Sequence, residues 1–264
     1  MPDIITDAEL VNKFAAKAME EPAQVIKTRA PSESEVSLPG GFLEANGEVI
    51  KTVEVRELTG ADEEAVAKAG SSGKALDVLL QRGLAKIGSR TVEKEDLNSL
   101  LAGDRDAILL GIRRVTFGDD MEIGYRCRTC GEEQRDSLLL SKDVPVVSLE
   151  DRAQEGTFEV ETKKGTAVVA LPNGITQRKL MENIDKTTAE INTLLLSGCI
   201  VSLNGSPSSG ASTALSLGMA DRTKIVDEII KRNPGPRLGE VKKACQACGE
   251  DVLLPLSLLD LFRL

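Results

Sequence analysis

The 264-residue chain contains no histidine. That single absence removes Ser-His-Asp and Cys-His catalysis, histidine metal ligation and histidine pH switching. There is no tryptophan and only one tyrosine, and aromatic residues make up 2% of the chain. The core must therefore be aliphatic, and a hydrophobic content of 41% is enough to build a substantial one. Positive charge is also short: 33 Lys and Arg face 42 Asp and Glu, a net charge of −9. A nucleic-acid-binding domain has the opposite, basic footprint, so no nucleic-acid partner is expected. No run approaches the roughly 18 apolar residues of a membrane span. No Walker loop and no Rossmann glycine fingerprint occurs, and no small-molecule substrate is expected. The stretch Gly70-Ser71-Ser72-Gly73-Lys74 lacks phosphate-loop spacing and reads as a loop between helices. The opening Met1-Pro2-Asp3-Ile4-Ile5-Thr6-Asp7 is acidic and has no signal-peptide pattern, which points to a cytosol-like compartment.

Cysteines are few but arranged. Four of the five form two copies of one motif, Cys127-Arg128-Thr129-Cys130-Gly131-Glu132 and Cys245-Gln246-Ala247-Cys248-Gly249-Glu250. Two such pairs supply four thiolates to one tetrahedral ion, and zinc is the usual occupant of a closed four-sulfur shell. The glycine after each second cysteine suits a tight turn with positive φ. In a reducing compartment, paired cysteines more often bind metal than form disulfides, with redox pairing the rival reading. A closed shell leaves no open position for water or substrate, so the motif is a strong signal for metal and a weak one for chemistry. Arg126, Arg128, Lys242 and Lys243 flank the cysteines and either offset their negative charge or are plain solvated strand residues. Cys199 stands apart in an apolar helical run and reads as a buried structural thiol.

The segments before the two motifs also match, displaced by about 114 to 118 residues. Thr52-Val53-Glu54-Val55-Arg56 parallels Thr166-Ala167-Val168-Val169-Ala170, and both runs end in a glycine turn, at Gly60 and Gly174. Asp104-Arg105 parallels Asp221-Arg222, followed by Ile108 and Ile112 in one half and Ile225 and Ile229 in the other. That spacing places each isoleucine pair on one helical face, with the aspartates expected as N-caps. Leu138 and Leu140 parallel Leu256 and Leu258 in their offset from the second cysteine. The expectation is an α+β chain of two tandem units, each of short strands, helices and a knuckle, joined by one shared zinc about a pseudo-twofold axis. An arm would occupy residues 1–37, the first unit 38–145 and the second 146–264. Structural zinc binds peptides with about 10–16 kcal/mol, enough to decide how two halves associate.

Elsewhere the pattern predicts a short amphipathic helix at residues 6–20, where Leu10, Phe14 and Ala18 lie at helical spacing. Helices are predicted at 61–70, 74–88, 93–101 and 104–116, and one long helix from Thr176 to about Val201. A strand pair near 121–139 carries the first knuckle. A hairpin is predicted over Phe158 to Leu171, turning at Lys163-Lys164-Gly165. Pro145 to Gln154 reads as a connector and Asn204 to Gly210 as a flexible loop. The apolar tail from Leu253 is expected to close the core of the second half.

Residues 52–64, the run Leu101-Ala102-Gly103-Asp104-Arg105-Asp106-Ala107-Ile108-Leu109-Leu110, Phe117-Gly118-Asp119 and both Cys-x-x-Cys-Gly-Glu knuckles together carry a resemblance. From about Leu38 to the C-terminus the chain resembles the baseplate hub protein family of T-even-type tailed bacteriophages. The resemblance implies a non-enzymatic tail component whose partners are other phage tail and baseplate proteins, located in the virion after assembly in the host cytoplasm. Carried over residue by residue, it gives a role only to Cys127, Cys130, Cys245 and Cys248, as metal ligands. Ala220 stands where the family pattern has the glycine before Asp-Arg. The rival readings are a tail assembly chaperone absent from the finished particle, a zinc-ribbon nucleic-acid factor and a dithiol redox protein.

Overall fold

Alternating apolar residues build the first sheet. Val36 and Leu38 on β1 (Glu35–Leu43) and Val53 and Val55 on β2 (Val49–Val55) face one core. The computed structural model describes residues 34–254 and 256–262; the helix expected at residues 6–20 lies outside them, as does nearly all of the expected arm. Two helices follow β2, α1 (Gly60–Ala67) and α2 (Ser72–Gly83). The chain then adds β3 (Leu84–Ile87) and β4 (Arg90–Thr91), completing an antiparallel sheet of order β1-β2-β3-β4. Next come α3 (Lys94–Ser99) and α4 (Ala102–Phe117), then the hairpin of β5 (Asp120–Arg126) and β6 (Glu133–Leu139). Burial of Leu76, Leu80, Ile108 and Ile112 packs α2 and α4 against the sheet.

A connector holds α5 (Leu140–Asp143), β7 (Val146–Val147) and α6 (Arg152–Glu155). The earlier order of elements then occurs again. The hairpin of β8 (Thr157–Thr162) and β9 (Gly165–Ala170) leads to α7 (Gly174–Met181) and α8 (Thr188–Cys199). Strands β10 (Ile200–Leu203) and β11 (Ser206–Pro207) complete a second sheet, β11-β10-β9-β8. Helices α9 (Ala211–Ser216) and α10 (Met219–Arg232) follow. After β12 (Gly235–Pro236), which pairs with β7, a 3-10 turn at Leu238–Glu240 leads to the hairpin of β13 (Lys242–Ala244) and β14 (Asp251–Leu253). The short helix α11 (Leu258–Phe262) ends the described chain. Element lengths agree between the two passages: α1 and α7 have 8 residues, α2 and α8 have 12, and α3 and α9 have 6.

Several expectations need correction. Asp104 and Asp221 are not N-caps, since those positions fall to Leu101 and Gly218. Each aspartate sits inside the first helical turn and turns its carboxylate sideways, accepting from Gly40 N at 2.7 Å and Lys163 N at 3.2 Å. The predicted helices 74–88 and 176–201 both run too far, because their last residues peel off as β3 and β10. Helical and strand periods cannot be told apart in such short apolar runs. The second of these predictions also spans a break between α7 and α8. Asn204-Gly205 is a tight hairpin turn rather than a loose loop, with both residues at positive φ. The tail closes a different core from the one expected. Leu258 and Phe262 pack against the first core and against a third cluster that contains Leu110, Leu138, Val241 and Leu254, not against the second core around Ile225.

Candidate metal centre

Each knuckle is the turn of a hairpin, and its backbone geometry follows from a few hydrogen bonds. Cys127 N donates to Glu132 O at 2.9 Å and Gly131 N to Cys127 O at 2.9 Å. In the second knuckle, Cys245 N donates to Glu250 O and Gly249 N to Cys245 O, both at 2.8 Å. Gly131 and Gly249 both have φ of 76°, the left-handed region that a side chain disfavours. The third hydrophobic cluster lies beneath. Met121, Ile123 and Tyr125 from β5 and Val252 from β14 pack on a core shared by both hairpins. That packing brings the two turns together.

The result is one cluster of four sulfurs, all within 4.8 Å of one another. Cys127 Sγ lies 3.8 Å from Cys248 Sγ, and Cys130 Sγ lies 3.7 Å from Cys245 Sγ. These separations are far from a disulfide bond of about 2.05 Å. A tetrahedral zinc with Zn–S bonds of about 2.3 Å requires S···S edges of about 3.8 Å. Two of the six sulfur separations therefore stand at the spacing of a four-coordinate shell and all lie within 4.8 Å, so the cluster could bind a metal. Cys127 and Cys245 are buried, whereas Cys130 and Cys248 are exposed. One cysteine of each pair thus faces the core and one faces solvent.

Electrostatics point the same way. The backbone N–H groups of Cys130 and Thr129 donate to the Cys127 sulfur and bring its thiol down to about 6. At Cys248 the Glu250 N–H has the same lowering effect, but burial and the neighbouring thiols Cys245, Cys130 and Cys127 outweigh it and push the group up to about 12. Four thiolates cannot crowd together without a cation among them. Of the flanking bases, Arg126 donates from Nε to Gly131 O at 2.8 Å and braces its knuckle. Lys243 instead pairs with Asp143 at 2.8 Å. Cys199 is far from this chemistry: it is buried in the second core, where burial pushes its thiol up to about 12.

A second long-range contact escaped the sequence. The corner between α3 and α4 docks onto the start of α7. Ala102 N donates to Pro172 O at 2.8 Å, and Gly174 N donates to Leu100 O at 2.9 Å. Arg178 bridges Asp77 and Asn98, while Gln177 joins Arg105 to Asp106. These contacts join residues 70 to 101 positions apart that share no motif, so nothing local in the sequence announces them.

A family model described as T4 bacteriophage base plate protein matches residues 42–263. No curated protein and no solved structure matches.

Proposed function

The chain belongs to the T4 bacteriophage base plate protein family, and from that premise we propose that it is a structural component of the baseplate hub, clamped by a structural zinc ion. Family membership carries the baseplate assignment and implies a place in the virion tail among other tail proteins. Among the described residues no helix is long and apolar enough to cross a membrane. Sulfur spacing carries the zinc assignment, because the 3.7 and 3.8 Å separations match a tetrahedral shell. Cys127, Cys130, Cys245 and Cys248 are the proposed ligands. A zinc ion there supplies a closed, inert coordination centre and no reactive position. The protein's own part is to hold two distant hairpins in register, and the proposed role is that of a rigid, non-enzymatic adaptor.

We also propose that residues 38–145 and 146–264 are two copies of one unit. Matching element lengths, the paired Gly131 and Gly249 turns and two matching arginines support this reading. Arg105 Nη1 donates to Leu97 O, and Arg222 Nη1 donates to Ala214 O, each reaching back eight residues, at 2.7 and 2.9 Å. Zinc per chain, measured with native mass on the same sample, tests the clamp: one zinc per monomer is expected, and reactive thiols without zinc would overturn it. Mass spectrometry of purified virions tests the placement. A chain present during infection but missing from finished particles would make it an assembly chaperone instead.

A further inference from the structure

The corner that joins the two halves exists twice, but only one copy is covered. Alignment of α4 with α10 through Asp104 and Asp221 is free of gaps from α3 and α9 onward. It places Leu215 at the position of Asn98, Gly218 at that of Leu101 and Met219 at that of Ala102. In the first half this corner is buried: Leu101 is 1% exposed and Ala102 8%, beneath Pro172 and Gly174 of the second half. In the second half the counterparts of Leu101 and Ala102, Gly218 and Met219, are exposed, Met219 at 86%, and Leu215, at the position of the half-buried Asn98, is 66% exposed.

The receiving surface is duplicated in the same way. Gly174, which opens α7, is buried against Leu97 O, while Gly60, which opens α1, is exposed with nothing near its Cβ position. Beside Gly174, the chain after α10 presents Pro234 and Gly235 to Gly103. The counterpart after α4 is Phe117 and Gly118, and Phe117 is 60% exposed. So the chain carries an unused donor corner at one place and an unused acceptor corner at another. Both are marked by large apolar side chains left in water, whereas the equivalent positions inside the chain are packed.

We infer that a second copy of this chain docks its Gly60–Phe117 surface onto the Leu215–Met219 corner, repeating between chains the contact that joins the two halves within one. This inference rests on the proposed duplication and not on the metal. The repeat is incomplete by construction. Ala220 replaces Gly103, whose Cβ would meet Pro234 O at 1.5 Å, so this side must open to admit the extra methyl group. The knuckle hairpins are already paired within the chain and add nothing to the contact. The interface is heterologous, because the two surfaces differ, and a heterologous contact propagates from chain to chain until it closes a ring or is capped.

Sedimentation velocity on the full zinc-loaded chain across a concentration series tests this, with two surface variants. Leu215→Glu with Met219→Glu spoils the donor corner; Gly60→Glu with Phe117→Glu spoils the acceptor. Gly60 has no side chain, Leu215 and Met219 are largely in solvent, and Phe117 is partly covered by the Arg113 guanidinium, 4.9 Å from its ring centroid. Far-ultraviolet circular dichroism with zinc content confirms that each variant is folded. Each variant alone is expected to lose self-association at least about tenfold, as a charge in the centre of a small contact does. An equimolar mixture is expected to form dimers and stop there, since one good donor and one good acceptor remain. Three results would overturn the inference: a wild-type chain that stays monomeric throughout, a variant that still associates alone, or a mixture that does not dimerise. In each case zinc content and family membership stand untouched, so failure here is distinct from failure of the baseplate reading.

Discussion

Residues 38–145 and 146–264, proposed as two copies of one unit, run through a similar order of elements in opposite surroundings. The corner of α3 and α4 in the first half is buried by the second half, and the corresponding corner of α9 and α10 is open to solvent. Their hairpins differ as well: β5 and β6 have seven residues each, whereas β13 and β14 have three. Knuckle pairing is locally symmetric, since Cys127–Cys248 and Cys130–Cys245 are equivalent contacts. The surrounding bodies are not, because the α3–α4 corner meets α7 while α9–α10 meets no counterpart among the described residues. A pseudo-twofold axis therefore describes the cysteine cluster and not the halves. If the proposed units are copies, they are joined unequally, and that leaves surfaces free for a component that must contact others.

The largest test of this comparison is loss of a cysteine from the cluster. Cys127→Ser and Cys245→Ser occupy the same place in their knuckles and are buried alike. Each is expected to abolish zinc binding and to lower the Tm by the same amount, and by more than a surface or packing substitution in either half. Hydrogen exchange at Ile108 and Ile225 should report loss of protection in both cores together, because the third hydrophobic cluster ties the hairpins to α4. Exchange confined to one half would mean that the halves fold independently of the metal.

A single methyl group separates the halves next. Gly103→Ala places a Cβ against the Pro234 carbonyl and should destabilise by about 3 kcal/mol, the upper part of the usual range for overpacking. The reciprocal change, Ala220→Gly, removes an exposed methyl and should cost at most about 1 kcal/mol through helix propensity. Denaturant unfolding measures both. Equal effects would show that the buried corner is no tighter than the open one.

Much of this was legible beforehand, and the residues show why. The knuckles carry their pattern in six consecutive residues, so the four cysteines that come together could be named from spacing alone. The hairpin at Lys163-Lys164-Gly165 has a glycine with φ of 107° between alternating strands, and it lies where the pattern put it. What failed was nonlocal. Asp104 looks like a cap because caps are local devices, but its partner Gly40 is 64 residues away. The tail looks like part of the second core because it is adjacent in sequence, yet it packs on the third cluster and on the first core.

Asp104 also gives the molecule a pH dependence. Burial raises its carboxyl to about 6, against the opposing pull of the Gly40 and Gly41 N–H groups and of Arg152 and Lys51. One carboxylate oxygen, Oδ2, has no hydrogen-bond partner. A folded-state pKa above the unfolded value of about 4 means that the folded protein holds the proton more tightly. Its contribution is complete below about pH 4 and is lost as pH rises through about 6. Asp104→Asn keeps an acceptor for Gly40 and removes the charge. Across that window the wild type should lose up to about 3 kcal/mol relative to the variant, read from unfolding at about pH 4 and about pH 7. A constant difference between the two would show that Asp104 ionises freely in the folded state.

The smallest effect concerns the break between α7 and α8, which the apolar pattern conceals. Residues 176–201 are apolar enough for one helix, but α7 stops at Met181 and α8 begins at Thr188. No proline or glycine lies between them. The signal is Thr187 with Glu190, a reciprocal cap: Thr187 Oγ1 accepts from Glu190 N, and the Glu190 carboxylate accepts from Thr187 N at 3.0 Å. The corresponding helix α2 is capped by Ser71, which accepts from Lys74 N and has no acidic partner three residues on. Thr187→Ala should therefore cost about 1 kcal/mol, and Ser71→Ala less, because only one of the two caps is reciprocal. If both substitutions cost the same, the break is set by packing of α8 on the second core, and the capping pair merely occupies a turn that would form without it.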